Sequence, residues 1–397
     1  MGFYSGMTRT PFLRAFACLS LLSSFACLTL SAQQPQSSKY LFYVGTYTEN
    51  GSKSKGIYAY RYDAATREIT SLGLAAEATN PSWIALHPNG RYLYAVNEVQ
   101  NYKTSNSGGV SAFSIDRVTG KLTFLNEVRS RGADPCYVTV DSAGHYVLVA
   151  NYTGGNIAAF PVLNDGKLGE ASAFVQHAGH GPNPKRQEGA HAHSIDLSPD
   201  NRFAMVDDLG LDELLVYKFD AARGMLTPND PPFAKLDPGA GPRHFALHPS
   251  GKFAYVISEM HSSVTALSAD LKTGTFRPLQ TISALPKGFK GENDDAEIEI
   301  HPSGKFLYAS NRGHDSIAVF AVDPSKGTLK LVEHASTQGK TPRSFEIDPT
   351  GTLLFAENQE SNNIVIFSID QKTGKLTPTG KVLEVGQPVC VKFLAVE

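Results

Sequence analysis

One short phrase returns seven times along this chain at a spacing of roughly fifty residues, and its ending changes each time. The closest copies are HPNGRYLYAVNE ending at Glu98, HPSGKFAYVISE ending at Glu259, HPSGKFLYASNR ending at Arg312 and DPTGTLLFAENQ ending at Gln359. Looser copies end at Tyr152 and Leu209, and a truncated one, YLFYVGT, ends at Thr46. Length alone, 397 residues, suggests more than one domain. Self-similarity at this period overrides that expectation. Units that cannot bury an apolar face alone must stack on one another into one continuous body.

Each full repeat holds four strand-like runs, in the fifth copy Phe245–His248, Lys252–Ser258, Ser263–Asp270 and Phe276–Ser283. The Pro and Gly of the His-Pro-Ser-Gly phrase suit a tight reversal between the first two runs. The third run recurs as GVSAFSID, SVTALSAD, SIAVFAVD and NIVIFSID, alternating apolar and polar as half-buried strands do. No long stretch has helical periodicity. Seven units of four antiparallel strands predict an all-β fold, a seven-bladed β-propeller in one domain over residues 40–397. The last copy supplies only a first strand, Pro388–Val396, and the first copy lacks that strand, starting with Tyr40–Val44. The two halves are expected to share one sheet, closing the ring and removing two exposed edges.

The leading residues depart from this pattern. Arg9 and Arg14 precede an apolar run closing with Leu30, Ser31 and Ala32, which reads as a secretory signal peptide over residues 1–32, with 33–39 a short linker. The expected location is therefore periplasmic or extracellular. Loss of the leader leaves Cys136 and Cys390, in different repeats, as two buried free thiols rather than a disulfide framework. A net charge of -2 gives no electrostatic case for nucleic acid or a membrane surface as partner. Oligomeric state is not readable from these features.

The changing ends of the repeat carry the chemistry. The first strand of each blade leads into the turn and the second leads out, so the start of one and the end of the other share a face. Counting back six from the turn gives Ser82, Cys136, His193, Arg243, Ala296 and Arg343; counting forward ten gives Glu98, Tyr152, Leu209, Glu259, Arg312 and Gln359. Filler positions would repeat one small or apolar residue. These instead gather His193, Arg243, Glu259, Arg312, Arg343 and Glu98 around one opening. The arginine fork suits bidentate capture of carboxylate or phosphate, so a small anionic substrate is expected, with a structural ion-pair network as the competing reading. His191 and His193 stand two apart and are expected on one side of a strand. Asn151 before Tyr152, and His244 beside Arg243, complete the substrate-binding candidates. His-x-His on a strand with no nearby cysteine is a weak metal signal, and a neutral imidazole among guanidinium groups suits a general base better. Gly108-Gly109 and Gly154-Gly155 sit in turns rather than phosphate loops, and no Gly-x-Ser-x-Gly elbow occurs. The acidic run Glu292–Asp295 reads as a solvated loop. No cofactor is expected.

With these residues aligned, the chain resembles the lactonase family of seven-bladed propellers, which includes cycloisomerase-type 6-phosphogluconolactonases and the fungal carboxy-cis,cis-muconate cyclase. The resemblance covers Tyr40 to Val396 and rests on GTYT at Gly45–Thr48, NPSW at Asn80–Trp83, ANYTGGNI at Ala150–Ile157 and RQEGAHAHS at Arg186–Ser194. It continues through GPRHFALHPSGKFAYV at Gly241–Val256, SNRGHDSIAVF at Ser310–Phe320 and TPRSFEIDPTG at Thr341–Gly351. It implies His193, Arg243, Glu259 and Arg312 as the catalytic set, coinciding with the column reading. It implies hydrolysis of a sugar or organic-acid lactone by metal-independent water attack, with His193 or Glu259 as base and Arg343 as a further substrate contact. Three other readings stay open: muconate-type lactonisation, a metal-dependent propeller lactonase built on Glu98, Asn151 and Asp208, and a non-enzymatic propeller binding a protein or peptide. The leader also sits awkwardly with 6-phosphogluconolactone, a cytoplasmic metabolite.

Overall fold

The computed structural model describes residues 38–49, 51–103 and 106–396; the proposed leader and nearly all of the linker lie outside the described residues. All regular structure there is β, in seven four-stranded antiparallel sheets. In six blades the strands run in chain order from the axis outward. In the remaining one the order is Pro388–Val396, Lys39–Thr46, Gly56–Asp63, Glu68–Glu77. Blade 1 denotes this closing sheet, and blades 2 to 7 follow in chain order.

Second strands such as Phe253–Ser258 and Phe203–Asp208 are buried at every residue, whereas outermost strands such as Leu122–Arg129 are mostly open. A strand covered on both faces needs a continuous apolar run, and an edge strand does not. The core accordingly lies between blades. Tyr255, Leu307 and Phe320 pack blade 5 against blade 6, and Tyr308, Phe345 and Phe367 pack blade 6 against blade 7.

The constant letters of the repeat stitch neighbouring blades together. His87 Nε2 lies 2.8 Å from the Gly144 carbonyl, His248 Nε2 3.0 Å from Gly304 and His301 Nε2 2.8 Å from Gly351. The turn histidine of one blade thus meets the turn glycine of the next. Gly144 and Gly304 have φ of 76° and 70°, and a Cβ there would fall 2.3 and 2.7 Å from the histidine ring, so both backbone shape and contact require glycine. A second stitch runs from tyrosine hydroxyls to the glycine opening the next blade's last strand. Tyr255 donates to Gly327 at 3.1 Å and Tyr308 to Gly374 at 2.8 Å. The recurring His, Tyr and Gly are therefore scaffold.

Closure follows the half-blade expectation. Pro388–Val396 pairs antiparallel with Lys39–Thr46 from Lys39↔Val396 to Thr46↔Pro388. Phe393 packs edge-on to Tyr40 and Tyr62, and Phe355 of blade 7 joins the same cluster. Deleting Pro388–Val396 should open the ring and abolish the single cooperative thermal transition seen by calorimetry. An unchanged melting profile would refute this closure as the element holding the ring shut.

Candidate active site

A strand alternates its side chains, so only every second residue of an innermost strand should face the axis. A β-bulge at one equivalent position changes this in six blades. Ala192 pairs with Asp208 and Ser194 with Asp207, leaving His193 as the extra residue. Arg243, Arg343 and Cys136 are the extra residues of blades 5, 7 and 3, Val389 that of blade 1, and Ala296–Glu297 face Ser310 in blade 6. An inserted residue bends the strand and re-aims side chains. Two adjacent residues of one strand thereby reach the channel at different depths, Arg243 beside the pocket and His244 beneath it.

The resulting pocket has a volume of about 250 Å³. It is lined by Glu98, Cys136, Tyr152, Arg186, His193, Glu259, Asp294, Arg312 and Arg343. Beneath it Trp83 and Tyr137 stack at 4.7 Å, and the His244 ring meets each edge-on, at 5.0 and 5.2 Å. His244 Nδ1 sits 3.1 Å from both carboxylate oxygens of Glu297.

Glu259 is the electrostatic centre. Its Oε2 accepts from Arg243 Nε at 3.0 Å and Arg312 Nη2 at 2.7 Å, and its Oε1 accepts from Arg186 Nη2. Burial alone would raise this carboxyl group. Arg312, Arg243 and Arg186 outweigh it and hold Glu259 well below the usual carboxylate range. Burial, Arg243 and His244 push His193 well below the ordinary imidazole value against the opposing pull of Glu259, so it is neutral at neutral pH. Its Nδ1 lies 3.9 Å from Cys136 Sγ, and the ring lines the pocket. Burial, with Arg312 and Arg343 nearby, lowers Arg243 to about 10.

Arg343 differs from its neighbours. Its guanidinium lies 5.4 Å from the Tyr47 ring centroid and makes no hydrogen bond or ion pair among the described residues. Arg312 Nε is likewise buried without a partner. Glu98 is held by the Tyr47 hydroxyl at 2.8 Å and by Ser82 Oγ. The pocket thus offers unspent cationic donors opposite a neutral imidazole.

Of the residues expected at the opening, His193, Glu259, Arg312, Arg343 and Glu98 line the pocket. Arg243 stands beside Glu259, 2% exposed, its Nη1 donating to the Ala296 carbonyl at 2.6 Å and lying 3.2 Å from His244 Nε2. Several expectations are corrected. His191 does not line the pocket as His193 does, although both rings pack against Tyr152, at 4.6 and 5.5 Å. It stacks on Tyr152 at 4.6 Å and bonds the Tyr152 carbonyl and Glu188 instead. Asn151 is fully buried and holds the Ser130 carbonyl and Asn156, and His244 lies in the floor. The acidic run Glu292–Asp295 is a loop only in its first half, Glu292 being exposed, whereas Asp294 lines the pocket and Asp295 is fully buried on an inner strand. Asp208 faces away, bound by His177 at 2.6 Å and by the His191 amide, so Glu98, Asn151 and Asp208 do not converge.

A family model described as "Lactonase, 7-bladed beta-propeller" matches residues 41–393. The chain belongs to this lactonase family. A 6-phosphogluconolactonase of Bacillus subtilis is 42% identical over 356 residues, covering 90% of this chain and 99% of that protein. One of Formosa agariphila is 37% identical over 307 residues, covering 76% and 85%. The solved structure of a periplasmic gluconolactonase from Pseudomonas aeruginosa superposes with a TM-score of 0.84 at 34% identity, covering 91% of this chain and all of that one. The protein is a lactone hydrolase.

Column counting does not reach two walls of this lactonase pocket. Arg186 and Asp294 lie outside the columns, Arg186 on the segment between Ala173–Gln176 and Ala192–Leu197. The one available signal for Arg186 is that it opens the RQEGAHAHS phrase. Replacing Glu259 with Ala would leave three guanidinium groups without their counter-charge and should cost about 3–5 kcal/mol of stability in denaturant unfolding. A loss below about 1 kcal/mol, the level of a solvent-exposed pair, would show that the cluster is effectively hydrated.

Proposed function

We propose that the enzyme opens a sugar-type lactone carrying negative charge, with His193 as general base and no metal in the reaction. The observation that carries this is the pairing of a neutral, buried imidazole with a carboxylate already committed to three guanidinium groups. Glu259 is too strongly stabilised as an anion to take a proton from water, which leaves His193 Nε2. A water between His193 and the bound lactone gives its proton to Nε2 while its oxygen adds to the ring carbonyl carbon. The carbonyl oxygen becomes an oxyanion, and Arg343 with Arg312 Nε supplies preorganised donors for it in a water-poor pocket. Collapse breaks the bond from the carbonyl carbon to the ring oxygen. That oxygen takes the proton back from the imidazolium, leaving the hydroxy acid as product and His193 neutral again.

Export from the cytoplasm forms part of this reading. It is supported by the composition of residues 1–32 and by the 34% identical gluconolactonase described as periplasmic. An exported enzyme calls for a lactone available outside the cytoplasm, phosphorylated or not.

His193→Gln should lower kcat by about 10²–10⁴-fold, the usual contribution of a positioned base. Because burial and the arginines depress His193, the imidazole is unprotonated through neutrality and protonates only on the acid side of the ordinary histidine value. The acid limb of kcat/KM, corrected for spontaneous opening, should therefore lie below pH 6.5 and vanish in His193→Gln. A limb at or above that value, or one surviving the substitution, would assign the base elsewhere. Arg343→Ala should lower kcat/KM by about 10²-fold, as loss of one oxyanion donor does, with the melting temperature little changed. A loss under threefold would remove Arg343 from the substrate.

A further inference from the structure

Three of the four guanidinium groups around Glu259 and the pocket belong to strands, Pro242–Leu247, Phe306–Arg312 and Pro342–Ile347. Arg186 comes from the segment before Ala192–Leu197, and its side chain is 37% exposed, against 2% for Arg243 and 12% for Arg312. Its neighbour Gln187 is fully buried and pinned, donating to the Leu209 carbonyl at 2.9 Å and Asp212 at 2.7 Å and accepting from the Asn183 amide at 3.1 Å. The backbone at Arg186 is therefore held, and its side chain alone is free to exchange partners.

Those partners are Glu259 Oε1, which no other described residue engages, Asp294 at 3.8 Å and the Tyr152 hydroxyl. Arg243 and Arg312 both bind Oε2, so Glu259 stays in place when Arg186 leaves. Arg186 and Asp294 also line a second cleft of about 640 Å³, together with Lys185, His261 and the rigid Pro182 and Pro184. This pair is the partition between the cleft and the 250 Å³ pocket, since no other residue lines both.

We propose that the outer cleft is a subsite for a second anionic group on the lactone, a carboxylate or a phosphate, and that this group opens the partition by drawing Arg186 away from Glu259 and Asp294. The inference rests on the lactone-hydrolase reading and deepens it. An incoming neutral lactone must break a charge-assisted pair with nothing in return, whereas an anionic substituent replaces it with an equivalent bidentate contact. Lys185 and His261 add donors on the cleft side. Glu259 Oε1, once released, is free to accept from a ring hydroxyl of the bound lactone. Arg186 then sets which lactones are accepted, and His193 chemistry is common to all of them.

The test compares wild type, Arg186→Ala and Arg186→Lys on three lactones of one sugar: neutral gluconolactone, the carboxylate-bearing glucarolactone and the 6-phosphate. In Arg186→Ala the ratio of kcat/KM for an anionic lactone over the neutral one should fall at least ~10-fold, mainly through KM, as loss of a charge-assisted contact implies. Turnover of the neutral lactone should rise. Arg186→Lys should recover part of the ratio, a point charge replacing a fork. Whichever of glucarolactone and the phosphate loses more in Arg186→Ala identifies the natural anion. Calorimetric binding of glucarate and 6-phosphogluconate, each against gluconate, reads the same preference without turnover, so it stands apart from any failure of the hydrolase reading. A ratio that stays within twofold of wild type in both assays, or a parallel loss on all three lactones, overturns the proposal.

Discussion

Seven sheets enclose a channel only when the first and last share hydrogen bonds, and here that depends on Pro388–Val396 lying against Lys39–Thr46. The pairing does more than end the barrel. Tyr47 follows directly on Lys39–Thr46, donates to Glu98 of blade 2 and receives the Arg343 guanidinium of blade 7 on its ring. The pocket rim therefore crosses the seam. Lys392, from the closing strand, sits over Trp83 in the floor and binds Glu346 at 2.6 Å. Ring closure and site assembly are one event, so a chain with an open seam would lose the geometry of Arg343 and Glu98 before it lost any blade.

The blades and their closure were readable because they follow from period and phase, which a chain displays directly. The columns reached His193, Glu259, Arg312, Arg343 and Glu98 because strand ends on one face converge. What escaped has two physical causes. A bulge is a local change of register that leaves no fixed residue signature, so alternation hid the descent from Arg243 to His244. Arg186 is outside any repeated position, on a segment that only one blade possesses in this form. The run around Asp294 was half legible, because four polar residues resemble a loop until an inner strand takes in Asp294 and Asp295 and Arg186 and Arg312 meet them.

The cluster also imposes a tension on the chemistry. Arg243, His244 and Arg343 depress His193, and a weaker base takes a proton from water less readily. The same guanidinium groups supply the field that stabilises the oxyanion. Around the pocket four guanidiniums, those of Arg186, Arg243, Arg312 and Arg343, face the three carboxylates of Glu98, Glu259 and Asp294. An entering anion offsets the excess, which relieves His193 as it binds. Substrate charge thus tunes the base, and the gain appears only in the complex, where it lowers the barrier to reaction rather than strengthening the free enzyme.

The arrangement separates what must be rigid from what must exchange. Arg243 and Arg312 are fixed by strands and by Glu259, so their ordering cost is met in folding, and Arg343 lies over the Tyr47 ring. The stitches that keep those strands in place, from His248 to Gly304 and from Tyr255 to Gly327, lie at the turns and outer edges, away from the pocket. A substitution at a column end removes no stitch, because column and turn stand at opposite ends of the same strands. Seven repeats can therefore keep one scaffold phrase while each ends in a different residue. Column ends outside the Glu259 cluster can therefore change without disturbing the stitches, while selectivity is left to a side chain such as Arg186 that the scaffold does not clamp.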